Sequence, residues 1–296
     1  MEKTEDKESN VNLYKEIDYP YSSAKEVMLE VVEYIERRFK GPENEVLLET
    51  RFPYLSFQKE DLVVLASKPG IGKTNFVLSL ISQLILDKQI PVALISPLIS
   101  ECEIGMRLVS INSDIHLAKI RCGMLGKEEV EKMQKIAGRL FEAPFYIYNE
   151  PNCSFKNIKK KAIEFAMEKH IQLFIVDNFE YLQELVDARE NEYRTILTNL
   201  LREFRYLANE LHIPIIITMN IPNLKSDLEP NLLDFKKYMV ITEEADKVVF
   251  LHRERNKTGF VKQDAKLIVA KNTSGPTGDI SVRFYSSTGK FTCTDF

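Results

Sequence analysis

LVVLASKPGIGKTNF, residues 62–76, begins as an unbroken apolar run, passes through a glycine-rich turn and ends on a helical start. The phosphate-loop pattern G-x-x-x-x-G-K-[ST] fits it everywhere but at its first place, where Ser67 stands instead of glycine. The remaining loop residues are Lys68, Pro69, Gly70, Ile71, Gly72, Lys73 and Thr74, followed by Asn75. The chemistry of such a loop is direct. Backbone N–H groups at a helix N-terminus point at phosphate oxygens, and glycine lets the backbone come close. Lys73 then reaches the β- and γ-phosphates, and the Thr74 hydroxyl is offered to Mg2+. A chance G-K-T at an ordinary turn is the plain alternative. A strand before the loop and a helix after it argue for a nucleoside triphosphate, with ATP the natural choice.

Further along, IQLFIVDNFE (171–180) carries an apolar run up to Asp177. A carboxylate at the C-terminal end of a buried strand lies where open α/β sheets bind ligands. There it holds Mg2+ through water, unless it merely caps the next segment. Apolar runs recur at 92–96, 145–148, 213–218, 247–251 and 267–270. Helical stretches at 74–88, 101–112, 126–140, 154–169 and 190–211 alternate with them. Continuous rather than alternating apolar runs suit strands covered on both faces. The prediction is an α/β fold with a mostly parallel central sheet flanked by helices. After residue 247 long helices stop, so the C-terminal edge reads as β-rich, with turns at 257–259, 274–278 and 288–289.

Residues 1–22 open on charged, polar sequence and read as a disordered tail. Residues 23–43 hold Val27, Met28, Val31, Val32, Tyr34, Ile35 and Phe39 at roughly helical spacing, stopped by Gly41 and Pro42. Residues 44–296 form the main domain. The net charge of −4 gives no global field for nucleic acid, so any such contact needs local basic patches. Cys102, Cys122, Cys153 and Cys293 form no C-x-x-C pair, which fits a reducing compartment and supports neither zinc nor redox chemistry. No signal-like h-region and no membrane-length apolar stretch is present, so a cytoplasmic protein is expected. The histidines at 116, 170, 212 and 252 show no metal or nucleophile spacing.

A series of segments in order resembles the RecA-like motor domain of DnaB-type replicative helicases, over about residues 44–296. FQKEDLVVLASKPGIGKTNF looks like that family's strand and phosphate loop, which also often lacks the first glycine. ISECEIGMRLVS and KIRCGML are similar to its next helix and "I-R-x-G-x-L" turn. VDNFEYLQ resembles its magnesium-aspartate strand, and LREFRYLANELHIPIIIT the helix and strand that follow. LLDFKKYMVITEEADKVVFLHRER resembles the "D-L-R-E-S-G-x-I-E-Q-D-A-D" stretch, and VAKNTSGPTG the late "A-K-x-R-x-G-P-T-G" element. The resemblance implies a RecA-like P-loop NTPase that uses ATP and Mg2+. It also implies a hexameric ring with ATP between subunits and inward loops on single-stranded DNA. The helix at 23–40 takes the place of the family's linker helix. With about 22 residues before it, the family's separate N-terminal domain is not expected here.

Three positions depart from the family. The water-activating carboxylate of its "S-L-E-M" segment falls on Leu98, and a leucine cannot orient water. The arginine finger of "A-K-x-R" falls on Thr273, although Lys271 survives as a cation. The "S-Q" glutamine falls on Asn220, one methylene shorter. ATP binding with impaired hydrolysis is the expectation, unless Glu101 or Glu103 replaces the carboxylate. The family's DNA loops fall at about 183–194 and 220–241. The second holds Lys225, Lys236 and Lys237 with Phe235 and Tyr238 between them, a mixture suited to phosphate contact and base stacking. Burial of those aromatics is the plain alternative. Asp234, Glu243 and Asp246 fall on acidic or polar family positions. Arg253 is placed either on the nucleotide base or in a surface pair. Two functions compete: a DNA motor, and a non-hydrolysing ATP-dependent scaffold or partner subunit of a ring or hetero-assembly. A small-molecule kinase is disfavoured for want of an arginine-rich lid.

Overall fold

The computed structural model describes residues 23–39, 48–221, 228–255 and 260–294. The tail at 1–22, the stop at Gly41–Pro42, the turn at 257–259 and Lys225 lie outside the described residues. Residues 1–46 and 47–296 are two compact units. In the first, α1 (Ala24–Phe39) is a helix that exposes Val27, Met28, Val31, Val32 and Ile35.

The second unit is built on a nine-stranded sheet among the described residues. In chain order its strands are β3 (Leu62–Ser67), β4 (Val92–Ile95), β5 (Phe145–Tyr148), β6 (Leu173–Val176), β7 (Ile215–Asn220), β8 (Lys247–His252), β9 (Asp264–Asn272), β10 (Gly278–Tyr285) and β11 (Lys290–Cys293). A separate ladder of β1 (Leu48–Glu49) and β2 (Ser56–Phe57) precedes them. Across the sheet the order is β11-β10-β9-β8-β3-β7-β6-β4-β5. From β8 to β5 all neighbours are parallel, and β9, β10 and β11 add an antiparallel edge.

The helices between strands are α2 (Lys73–Asp87), α3 (Glu101–Ser113), α4 (Leu117–Cys122), α5 (Lys127–Phe141), α6 (Phe155–Lys169), α7 (Gln183–Val186), α8 (Tyr193–Leu211) and α9 (Val240–Glu244). Two hydrophobic cores explain the continuous apolar runs. Leu62, Val64 and Ala66 of β3 join Phe174, Val176, Ile215 and Ile217 on the face shared with α6 and α8. Val63 and Leu65 turn the other way, with Leu173, Ile175 and Ile216, onto α2 and α3. Because successive side chains point to opposite faces, a strand covered on both sides must be apolar at every position. On the antiparallel edge the period returns to two: Ile280, Val282 and Phe284 are buried between exposed Asp279, Ser281 and Arg283.

A buried ion pair ties the two ends of the domain together. Lys247 at the start of β8 donates to Asp61 and, at 2.9 Å, to the Ser274 hydroxyl. Burial raises the Asp61 pKa, against the lowering influence of Lys247.

Candidate nucleotide-binding site

The strand order creates the site. β3, β7 and β6 lie side by side and in parallel, so the segments leaving their C-terminal ends converge. Ser67, the last residue of β3, sits opposite Asn220, the last of β7. Beyond Ser67 the loop turns through Gly70 at φ 77° and Gly72 at φ 110°, both left-handed values that glycine adopts at no steric cost. Gly72 caps α2, and a Cβ there would meet the Phe291 ring at 3.4 Å. Ile71 is buried and anchors the loop's side.

Six side chains from three parts of the chain meet at this mouth. The Thr74 hydroxyl donates to Asp177 Oδ2 at 2.6 Å, and the Thr218 hydroxyl to Asp177 Oδ1 at 2.6 Å. Asn178 adds an amide N–H to Oδ2 at 2.9 Å. Asp177 is 1% exposed, and burial raises its pKa against the two threonine hydroxyls and against the charges of Lys73 and Arg107. Lys73 Nζ donates to Asn220 Oδ1 at 2.5 Å. Burial lowers the Lys73 pKa, while Glu180 and Asp177 act against it. The Thr74 hydroxyl and Asp177 carboxylate are hard oxygen donors in contact, a set that fits Mg2+. Beside them stand a buried ammonium and a loop whose glycines leave room for phosphate.

Other expected residues fall into place differently. Asn220 touches the Lys73 ammonium directly through its side-chain oxygen. Arg253 forms no surface pair: it is 7% exposed, a position set by the β8 strand that brings it beneath the loop. Its guanidinium donates to the Ile71 carbonyl at 2.9 Å and the Lys262 carbonyl at 2.9 Å, over the Phe284 ring at 4.1 Å. Burial brings its pKa down to about 10, so it stays charged at neutral pH. Leu98 is an exposed side chain just past β4. Glu103 is committed to Arg107 at 2.7 Å and to Arg121, which hold its pKa low. Arg107 in turn donates to Asn75 Oδ1 at 2.9 Å. Glu101 is exposed.

Lys271 and Thr273 are not brought to this mouth. Lys271 pairs with Val248, near the start of β8, whereas the loop end of β8 is at Leu251. The Lys271 ammonium caps carbonyls of Thr242 at 2.8 Å and Ala245 at 2.6 Å. On the neighbouring face, Phe235 is fully buried and stacks on Phe250 at 5.5 Å. It is therefore unavailable to a nucleic-acid base. Tyr238 packs against Tyr193 at 5.5 Å, and Lys236 and Lys237 stay exposed. Asp234 closes a capping box with Asn231, and Asp246 accepts from the Leu62 N–H at 2.9 Å and from Arg205; both serve the fold.

One site residue was passed over in the sequence. Glu180 lies in the 3-10 turn Phe179–Tyr181 behind Asp177, and its Oε1 accepts from the Asn220 backbone N–H at 3.1 Å and from the Asn220 side chain. Its only sequence signal is a second acid three places after a strand-terminal Asp, too common a pattern to single out.

A family model for the DnaB-like helicase C-terminal domain matches residues 54–293. The chain belongs to that family. Replicative DNA helicase DnaB of Treponema pallidum is 29% identical over 279 residues, 91% of this chain and 61% of the relative. DnaB of Geobacillus stearothermophilus is 27% identical over 240 residues, 79% of this chain and 53% of the relative. The chain thus spans about half to three-fifths of the length of these DnaB relatives. Among solved structures, a chain described as an ATPase domain superposes with a TM-score of 0.81 at 21% identity, covering 93% of this chain and all of that one. A DnaB-like replicative helicase solved for its interactions with primase gives 0.76 at 20% identity, covering 90% of this chain and 69% of that one. Those two likenesses show the fold, an α/β domain with a mostly parallel sheet flanked by helices. No helix among the described residues is long and apolar enough to cross a membrane.

Proposed function

We propose that this chain is a cytoplasmic motor domain that binds ATP with Mg2+ and acts on single-stranded DNA, in replication or in a mobile element. The observation that carries this reading is the meeting of Lys73 and Thr74 from the loop with Asp177 and Asn220 from two adjacent strand ends. Lys73 binds the β- and γ-phosphates in this reading, together with the backbone N–H groups of residues 70–75. Thr74 and Asp177 would hold Mg2+, which when bound neutralises charge on the phosphate oxygens. Arg253 keeps the loop backbone in place from behind. The exposed Lys236 and Lys237 supply phosphate contacts for DNA, and Lys225, earlier in the sequence, joins them in this reading. In this reading copies assemble as a ring, and Lys271 of one copy serves the site of the next.

A second reading, an ATP-binding scaffold without turnover, is favoured by the leucine at position 98 and the threonine at 273. Anisotropy of a labelled oligothymidylate, titrated with protein with and without ATP and Mg2+, tests the DNA role. Wild-type protein is expected to bind more tightly with nucleotide, and Lys73→Ala to lose that dependence. Removing Lys236 and Lys237 together is expected to lower the slope of log affinity against log salt by about 1.4, at roughly 0.7 per phosphate contact. No binding of the oligonucleotide at low salt in any nucleotide state would count against a DNA motor.

A further inference from the structure

Among the described residues, Glu180 is the one carboxylate of the site, besides Asp177, whose placement the fold does not account for. Lys73 carries only donors, so Asn220 must turn its carbonyl oxygen to Lys73 and its NH2 to Glu180. A single amide therefore spans the ammonium and the carboxylate, which fixes Glu180 beside the phosphate-facing end of Lys73. Asn220's backbone N–H binds the same Glu180 oxygen, so the side chain is held from two directions. The other oxygen, Oε2, is shielded from solvent and has no hydrogen-bond partner among the described residues.

A purely structural role explains only half of this. A glutamine at 180 would accept both Asn220 donors equally well. Burying a carboxylate with one oxygen unsatisfied is unfavourable, and such groups cluster where chemistry needs them. The other acids near the loop are spent or remote: Glu103 is tied to two arginines and Glu101 faces solvent. Phe179, fully buried, locks the turn that presents Glu180.

We propose that Glu180 supplies the water-activating carboxylate that Leu98 cannot, so that this chain hydrolyses ATP. This rests on the motor reading above. The water oxygen bonds to the γ-phosphorus as the bond from that phosphorus to the bridging oxygen breaks. The electron pair leaves with ADP, and the water's proton passes to the Glu180 carboxylate. Asn220 keeps the carboxylate aimed while Lys73 holds the phosphate.

The test compares full-length wild type, Glu180→Gln, Glu101→Gln and Lys73→Ala with single-stranded DNA present. Affinity for a fluorescent ATP analogue is measured beside turnover, together with trapping of ADP by aluminium fluoride. E180Q is isosteric and keeps the acceptor for Asn220. It is expected to bind the analogue within about threefold of wild type, with KM unchanged. Its kcat is expected to fall about 10²-fold or more, the span of general-base removal, and aluminium fluoride trapping to be lost. E101Q is expected to behave as wild type. Turnover by E180Q at the wild-type rate, or wild-type protein that binds ATP without turnover, overturns the assignment while leaving the nucleotide site intact. Wild-type protein that fails to bind nucleotide overturns the motor reading and this assignment with it. Thermal midpoints of the variants separate loss of chemistry from loss of fold.

Discussion

Arg253 and Thr74 show how single side chains sustain this site. Arg253 donates to two carbonyls, one of them buried in the phosphate loop itself. Replacing it by Met leaves both carbonyls short of a donor, at about 1–3 kcal/mol, and frees the loop. Calorimetric titration of R253M is expected to show weaker ATP binding with the fold retained; unchanged affinity would separate Arg253 from the loop's geometry. The sequence left Arg253 between the nucleotide base and a surface pair; its buried place beneath the loop depends on Phe284 of β10 and the Lys262 carbonyl packing against it. Lys73, Thr74 and Asp177 were legible because their spacing follows from phosphate and metal chemistry. Glu180 was not, because its meaning comes from Asn220, forty residues away in sequence and adjacent only across the sheet. His252 offers a pH test. It is 6% exposed, its Nε2 has no hydrogen-bond partner among the described residues, and burial lowers its pKa. The unfolded chain therefore takes up a proton near the ordinary histidine range before the folded chain does. Stability is expected to be full above that range and to decline as pH falls through it. Denaturant midpoints at several pH values should show the decline shrinking in His252→Gln.

At the scale of elements, the β10–β11 hairpin braces the loop and α2. Phe291 packs on Phe76 and Phe284 at centroid distances of 5.7 and 4.7 Å, and it abuts Gly72. Phe291→Ala is expected to cost about 3–5 kcal/mol in urea unfolding, as other buried phenylalanine truncations do. A loss under about 1 kcal/mol would mean that the hairpin is not part of the core. Parallel strands were easy to read because burial on both faces writes itself as an apolar run. The hairpin was seen only as a β-rich edge, since its half-exposed pattern is shared with turns. β7 begins two residues later than the apolar run at 213, because Pro214 has no N–H for the ladder and His212 ends α8 in a left-handed turn. The short helix α4 gave no periodic signal: none of its residues is buried.

For the whole molecule, the placement of Lys271 matters most. It lies at the end of the sheet opposite the phosphate loop, so it can serve nucleotide chemistry only in another copy. If it does, subunits carrying Lys73→Ala mixed with subunits carrying Lys271→Ala should recover turnover that neither shows alone, since mixed neighbours rebuild whole sites. No recovery would leave Lys271 with the structural task it already performs at the end of α9. The acidic net charge says nothing against DNA binding, because the exposed lysines of the 232–238 turn form a local patch. The direct measurement is ATP turnover by the purified full chain with and without single-stranded DNA, beside Lys73→Ala. Turnover that DNA stimulates and the substitution abolishes is the expected result; tight ATP binding with no turnover in either condition would contradict a motor.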